Sequence, residues 1–137
     1  MACTNTAAFE LVFLLDESGS VGFFNYQAMK SFARSITEQI DISDSKARVA
    51  VIAYASGARL ALPLTGTRST IVNALNSLTY LAGGTSFIQA LTLANTVLTG
   101  SARANVYVYI MLVCQKSMIF SLYRNVRINR IGDTYGG

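Results

Sequence analysis

The run Leu11–Leu15 is apolar without a break and passes directly into Asp16, Glu17, Ser18, Gly19, Ser20, Val21 and Gly22, and this junction restricts what the chain can fold into. Two similar runs follow, Ala47–Ala55, interrupted only by Arg48, and Val106–Cys114. Strands that are apolar without alternation are covered on both faces, as in a parallel sheet with helices on each side. Each run is far shorter than the roughly 18 residues a membrane-spanning helix needs. They therefore read as buried strands, and no membrane span is expected.

The segments between them fit that scheme. From Phe23 to Ile40, the residues Phe24, Ala28, Phe32, Ile36 and Ile40 recur at four-residue steps, which predicts an amphipathic helix with those side chains inward. Strand Ala47–Ala55 leads through a Gly57 turn into a short strand, Arg59–Leu62, stopped by Pro63; so tight a turn implies antiparallel pairing. Ser69–Leu78 reads as a short helix with Ser69 as N-cap and Ile71, Val72, Leu75 and Leu78 inward. Ser86 caps a third helix that runs to Gly100, with Ile88, Leu91, Leu93, Ala94 and Leu98 inward. The order β-α-β-β-α-α-β implies an α/β fold, a mostly parallel sheet with one antiparallel edge strand and helices on both faces. The expected strand order is Arg59–Leu62, Ala47–Ala55, Phe9–Leu15, Val106–Val113. Ligand sites in such sheets lie beyond the carboxyl ends of the strands.

At 137 residues the chain suits one domain. Only 13% of it is charged, about half the usual share, while 52% is hydrophobic, so much of its surface must be hidden. The first ten residues, MACTNTAAFE, contain no basic stretch followed by an apolar one, and residues 1–8 read as a leader without a signal peptide. Net charge is +4, but residues 1–113 carry seven basic and six acidic side chains, and residues 114–137 four and one. The basic excess thus belongs to the tail. Lys116, Arg124, Arg127 and Arg130 are dispersed and lack a spaced aromatic platform, which argues against nucleic-acid binding. Cys3 and Cys114 read as free thiols rather than a pair. No histidine is present, which removes every His-dependent triad and every His-ligated zinc site.

The loop Asp16–Gly22 offers one carboxylate and two hydroxyls at alternate positions. Hard cations such as Mg²⁺ take oxygen ligands in near-octahedral geometry, and a tight turn closed at Gly19 presents three on one side. Asp and Ser also serve as helix caps, and the loop alone leaves both readings open. Glu17 fills the intervening position, either as a solvated carboxylate or as a rim charge tuning a cation. Gly83 and Gly84 permit a sharp turn before the third helix.

Taken together, ELVFLLDESGSVGFFNYQAMKSFARSI, RVAVIAYAS, LAGGTSFIQALTLAN and VYVYIMLV resemble the von Willebrand factor type A domain, similar to those of matrix proteins and integrin inserted domains. The resemblance covers about residues 9–113 and implies a Rossmann-like fold. It also implies that Asp16, Ser18 and Ser20 match the family's first metal-binding loop and Thr85 the second, forming a metal-ion-dependent adhesion site for Mg²⁺, Mn²⁺ or Ca²⁺. The partner would be a protein offering an acidic side chain to the open coordination position, a matrix protein such as collagen, in an extracellular setting.

The match departs from the family after the fourth strand. Where the family runs into Thr-Asp-Gly, this chain has Cys114, Gln115 and Lys116, which removes a carboxylate and adds a cation. Cation binding is therefore expected to be weak, and the sheet incomplete at about four strands, with residues 114–137 an atypical basic tail. The functional expectation is a cation-dependent protein-binding module impaired by truncation, the alternative being a non-functional fragment or splice product of a larger protein. FLLDES also resembles the strand-end Asp nucleophile of haloacid-dehalogenase-type phosphotransferases. Those need a second acid two residues on, where Ser18 stands, so no enzyme activity is expected.

Overall fold

The three apolar runs form the middle and one side of a single four-stranded sheet. The computed structural model describes residues 8–103 and 106–113. Its elements are β1 (Phe9–Asp16), α1 (Phe23–Gln39), β2 (Ala47–Tyr54), β3 (Ala58–Thr65), α2 (Arg68–Ser77), α3 (Phe87–Ser101) and β4 (Tyr107–Val113). The strand order is β3-β2-β1-β4, with β1 parallel to both β2 and β4 and β3 antiparallel to β2. This is the expected α/β topology and strand order. Expectations for residues 1–7 and 114–137, including both cysteines and the Gln115–Lys116 departure, lie outside the described residues.

Successive strand residues point to opposite faces, so β1 divides its apolar side chains between two cores. Leu11, Phe13 and Leu15 join Val49, Val51 and Ala53 beneath α1 and α2, which contribute Tyr26, Met29, Ala33, Ile71 and Leu75. Val12 and Leu14 join Ala50, Ile52 and Tyr54 beneath α3, which contributes Ala90, Ala94, Val97 and Leu98. Covered on both sides, β1 and β2 need no polar alternation.

Several local expectations are corrected. The inward face of α1 is Tyr26, Met29, Lys30, Ala33 and Thr37, while Phe24 is 85% exposed, Ala28 exposed, and Phe32, Ile36 and Ile40 only partly buried along one flank. In α3 the small residues Ala90 and Ala94 meet the sheet, and Ile88 is 77% exposed. Helix α2 starts one residue early, with Thr67 rather than Ser69 at the cap position. There the Arg68 guanidinium donates to the carbonyls of Thr37 and Ile40 at the carboxyl end of α1, where helix carbonyls lack partners. Strand β3 runs through Pro63 to Thr65 instead of stopping at Leu62, and its pairing with β2 shifts register between Val49 and Ile52. An edge strand with a bulge accommodates a residue that has no N–H to donate.

At the amino end of the sheet, Glu10 is fully buried and ion-paired to Arg48 at 3.0 Å and Arg103 at 2.5 Å. Arg103 also donates to the carbonyls of Phe9, Asp44 and Lys46, and so ties the starts of β1 and β2 together. The Asp16–Gly22 loop lies at the other end.

Candidate metal centre

Strand β1 ends on Asp16, where the chain leaves the sheet. One carboxylate oxygen, Oδ1, accepts from the backbone N–H of Ser18 at 2.9 Å, and the turn closes with Val21 N–H donating to the Ser18 carbonyl at 3.0 Å. Asp16 thus orders its own loop, and the cap position of α1 falls to Gly22. The positive φ of the loop, 81°, lies at Gly22 and not at Gly19. The hydroxyls of Ser18 and Ser20 stand 3.2 Å apart. Asp16 and Ser18 are buried, at 8% and 1% exposure, and Ser20 is exposed.

Glu17 does not behave as a solvated or rim charge. It is 3% exposed, its two oxygens receive Arg59 Nε at 3.2 Å and Nη2 at 2.8 Å, and Tyr26 donates to it at 3.3 Å. Burial first, and then the Glu17 charge, pushes the Tyr26 hydroxyl well above the ordinary tyrosine value. The hydrogen bond to Glu17 raises Arg59 as well. The second residue of the motif is thereby committed to a structural ion pair.

The connection from α2 to α3 supplies the facing loop. Its turn depends on Gly83, at φ 123°, where a Cβ would lie 3.1 Å from Ser56 Oγ. Gly84 instead donates its N–H to Ser56 Oγ at 2.8 Å, and Ser86 N–H donates to the Ala55 carbonyl at 2.6 Å. The two loops meet where Gly19 N–H donates to the Gly83 carbonyl at 2.9 Å. Thr85, two residues further on, is exposed at this same end of the sheet. Asp16, Ser18 and Ser20 are therefore linked by direct hydrogen bonds, whereas Thr85 is joined to them through other residues of its loop, the Gly83 carbonyl and the Tyr80 hydroxyl. Beside both loops opens a cleft of about 290 Å³ lined by Glu17, Ser56, Arg59 and Leu81 among others.

Arg59, Tyr26, Ser56 and Tyr80, whose hydroxyl also contacts the first loop, were not legible as parts of this centre. Tyr26 and Ser56 lie within the same sequence stretches as the recognised motifs and Tyr80 directly precedes one of them, but only the fold shows what they bind.

The donor set is all oxygen, with one carboxylate and neighbouring hydroxyls. Among the described residues no group of three or more Asp, Glu, Cys or His side chains converges. Two adjacent ligands in an octahedron with metal–oxygen distances of about 2.0–2.1 Å are about 2.9 Å apart, close to the Ser18–Ser20 spacing. The chemistry of the loop suits a hard divalent cation.

An open α/β sheet with such a loop at the carboxyl end of its first strand defines a class, and sequence comparison gives the family. The family model described as von Willebrand factor type A domain matches residues 10–119, and the chain belongs to that family. It is 32% identical over 92 residues to the mouse collagen alpha-4(VI) chain, covering 66% of this chain and 4% of that protein. It is 35% identical over 82 residues to bovine matrilin-1, covering 58% and 15%. The chain thus spans only a small part of these relatives' length. Among solved structures, proximal thread matrix protein 1 from the mussel byssus, with a zinc-occupied MIDAS motif, superposes with a TM-score of 0.66 at 22% identity, covering 85% of this chain and 31% of that one. At that identity the likeness concerns the fold.

Proposed function

We propose that this domain is a cation-dependent protein-binding module in which Asp16, Ser18, Ser20 and Thr85 hold a divalent cation, Mg²⁺ or its analogues Mn²⁺ and Ca²⁺. The observation that carries the reading is the 3.2 Å separation of the Ser18 and Ser20 hydroxyls, at coordination spacing, next to a carboxylate whose Oδ1 is already oriented by Ser18 N–H. The other carboxylate oxygen is the one available to the ion. The zinc-occupied motif of the mussel byssus protein supports a divalent cation in this fold. A single carboxylate leaves about one positive charge on a divalent ion, so the module binds its cation weakly and gains from a partner's acidic side chain that completes the shell. The collagen and matrilin relatives support a matrix partner such as collagen and an extracellular setting. In this reading the cation supplies a Lewis-acidic contact for the partner, and the chain's own residues bind and orient it without catalysing a reaction.

Calorimetric titration of the full chain with Mg²⁺ and with Mn²⁺ tests the proposal. Binding that is lost in Asp16→Ala and weakened in Ser18→Ala supports it. Gln115→Asp with Lys116→Gly, which restores the family's Asp-Gly sequence at these positions and removes a lysine, is expected to tighten binding. Heats that are the same in the wild type and in Asp16→Ala would overturn the reading.

A further inference from the structure

Tyr80 lies in the connection between α2 and α3, on the side of the centre that carries Thr85. Its ring packs against Tyr26, with centroids 5.3 Å apart, and meets Phe23 edge-on at 6.5 Å. Its hydroxyl is surrounded by backbone of the other loop. It donates to the Ser18 carbonyl at 2.9 Å, has the Gly19 carbonyl at 3.2 Å as a second acceptor, and accepts from Gly22 N–H at 3.1 Å. Three backbone groups of one short loop thus converge on one phenolic oxygen contributed from about sixty positions away.

These three groups bracket Ser20. The exposed Ser20 hydroxyl must remain beside the buried Ser18 hydroxyl if both are to occupy neighbouring ligand positions, and a free turn of this length would not keep it there. An ion that sheds its water reluctantly and demands near-ideal geometry binds only as well as its ligands are held in advance. The ring of Tyr80 packs against the core, whereas among the described residues its hydroxyl bonds to this loop alone.

We infer that Tyr80 is a positioning residue of the cation centre. Its hydroxyl fixes the backbone from Ser18 to Gly22 so that the Ser18 and Ser20 hydroxyls stay at ligand spacing, and it couples this loop to the one bearing Thr85. The inference rests on the reading of the loop as a cation site. Tyr80 itself touches no ion. The Gly19–Gly83 backbone bond adds a second tie between the same two loops, so removing the phenol loosens the first loop without separating the pair.

The test uses the full chain and two measurements. In the first, Mn²⁺ affinity and thermal unfolding without cation are compared for the wild type and Tyr80→Phe, which retains the ring and removes only the oxygen. The expected result is affinity weakened about fivefold to tenfold, the scale of one net hydrogen bond. Lowered stability with unchanged affinity would show a merely structural hydroxyl and overturn the inference. The second measurement needs no variant: exchange of the Gly22 amide proton, followed by NMR in the wild type, should slow on saturation with Mg²⁺, because the cation and the phenol order the same loop. Bound Mg²⁺ with no change at Gly22 would overturn the inference and leave the cation site standing. Failure of the wild type to bind either ion would remove the site and the inference together.

Discussion

Arg59 Nη2 lies 2.8 Å from Glu17 Oε2, and its Nε lies 3.2 Å from Oε1, so a residue of edge strand β3 grips in bidentate fashion the carboxylate that follows directly on Asp16. This pair explains why two adjacent acids at one strand end have separate fates. Asp16 orders the loop through Ser18 N–H, and Glu17 is drawn into a buried cluster with Tyr26 and Arg59. Among the described residues, the candidate centre is thereby left with the carboxylate of Asp16.

Removing the guanidinium should strand the Glu17 charge. Arg59→Met is expected to lower unfolding free energy by about 2 kcal/mol, less than the roughly 3–5 kcal/mol of a fully buried pair because the Arg59 side chain is 41% exposed. Urea denaturation at neutral pH measures it. Glu17→Gln, which keeps the hydrogen-bonding shape and removes the charge, should cost less. A larger loss in Glu17→Gln than in Arg59→Met would contradict the buried-charge account.

The same cluster sets a dependence on alkaline pH. Tyr26 is fully buried and its hydroxyl is held protonated well above the ordinary value of 10.0. Above pH 10 the unfolded chain releases this proton while the folded one retains it, so stability falls as pH rises. Tyr26→Phe should flatten that fall, as read from thermal unfolding between pH 9 and 11. Lys30 works in the opposite sense, since burial lowers its value below 10.5, but it is common to both proteins and drops out of the comparison.

At the other end of the sheet, Glu10→Gln should be among the more damaging single changes. It leaves Arg48 and Arg103 without the buried anion that holds them and loosens the anchoring of β1 and β2, at a cost of about 3 kcal/mol. Cation affinity in folded Glu10→Gln should match the wild type, because the pair lies at the end of the strands remote from Asp16. Chemical denaturation and calorimetry on the same sample separate the two effects.

The sheet was legible because burial on both faces leaves an unbroken apolar signature at Leu11–Leu15 and along β2. The helix faces were less so. Residues at four-residue steps drift by about 40° each, so Phe24 and Ile40 end up about 160° apart around α1 and cannot share one face. Tyr26, Ala33 and Thr37 lie within about 40° of one another and do. The polarity of Lys30 and Thr37 carries no sign of burial in the sequence, yet Lys30 donates to the Asn76 and Leu78 carbonyls and Thr37 to the Ala33 carbonyl. Of the candidate centre, the alternation of Asp16, Ser18 and Ser20 together with the family resemblance singles out three residues that the structure brings into hydrogen-bonding contact. Glu17 could not be read correctly, since Arg59, the residue that buries it, lies on another strand and neither sequence stretch marks the pairing.

Gly83 gives the most direct measure of how closely the two loops must fit. Its φ of 123° is one that residues with a Cβ rarely adopt, and a Cβ there would stand 3.1 Å from Ser56 Oγ, the atom that accepts from Gly84 N–H. Gly83→Ala therefore imposes backbone strain and pushes on the hydroxyl that holds the facing loop. A stability loss of about 1–3 kcal/mol is expected from the strain alone. The Gly83 carbonyl would shift as the turn opens, weakening its bond with Gly19 N–H and loosening the loop that carries the Ser18 and Ser20 hydroxyls. Mn²⁺ affinity should fall along with stability. Ser56→Gly separates the two causes, since it relieves the clash but not the strained φ. In the Gly83→Ala, Ser56→Gly double variant, recovery of part of the stability would measure the clash, and weakened affinity in Ser56→Gly alone would show that the Ser56 hydroxyl is itself needed to seat the loop. Full affinity in Gly83→Ala alone would show that the fit between the loops does not matter to the cation.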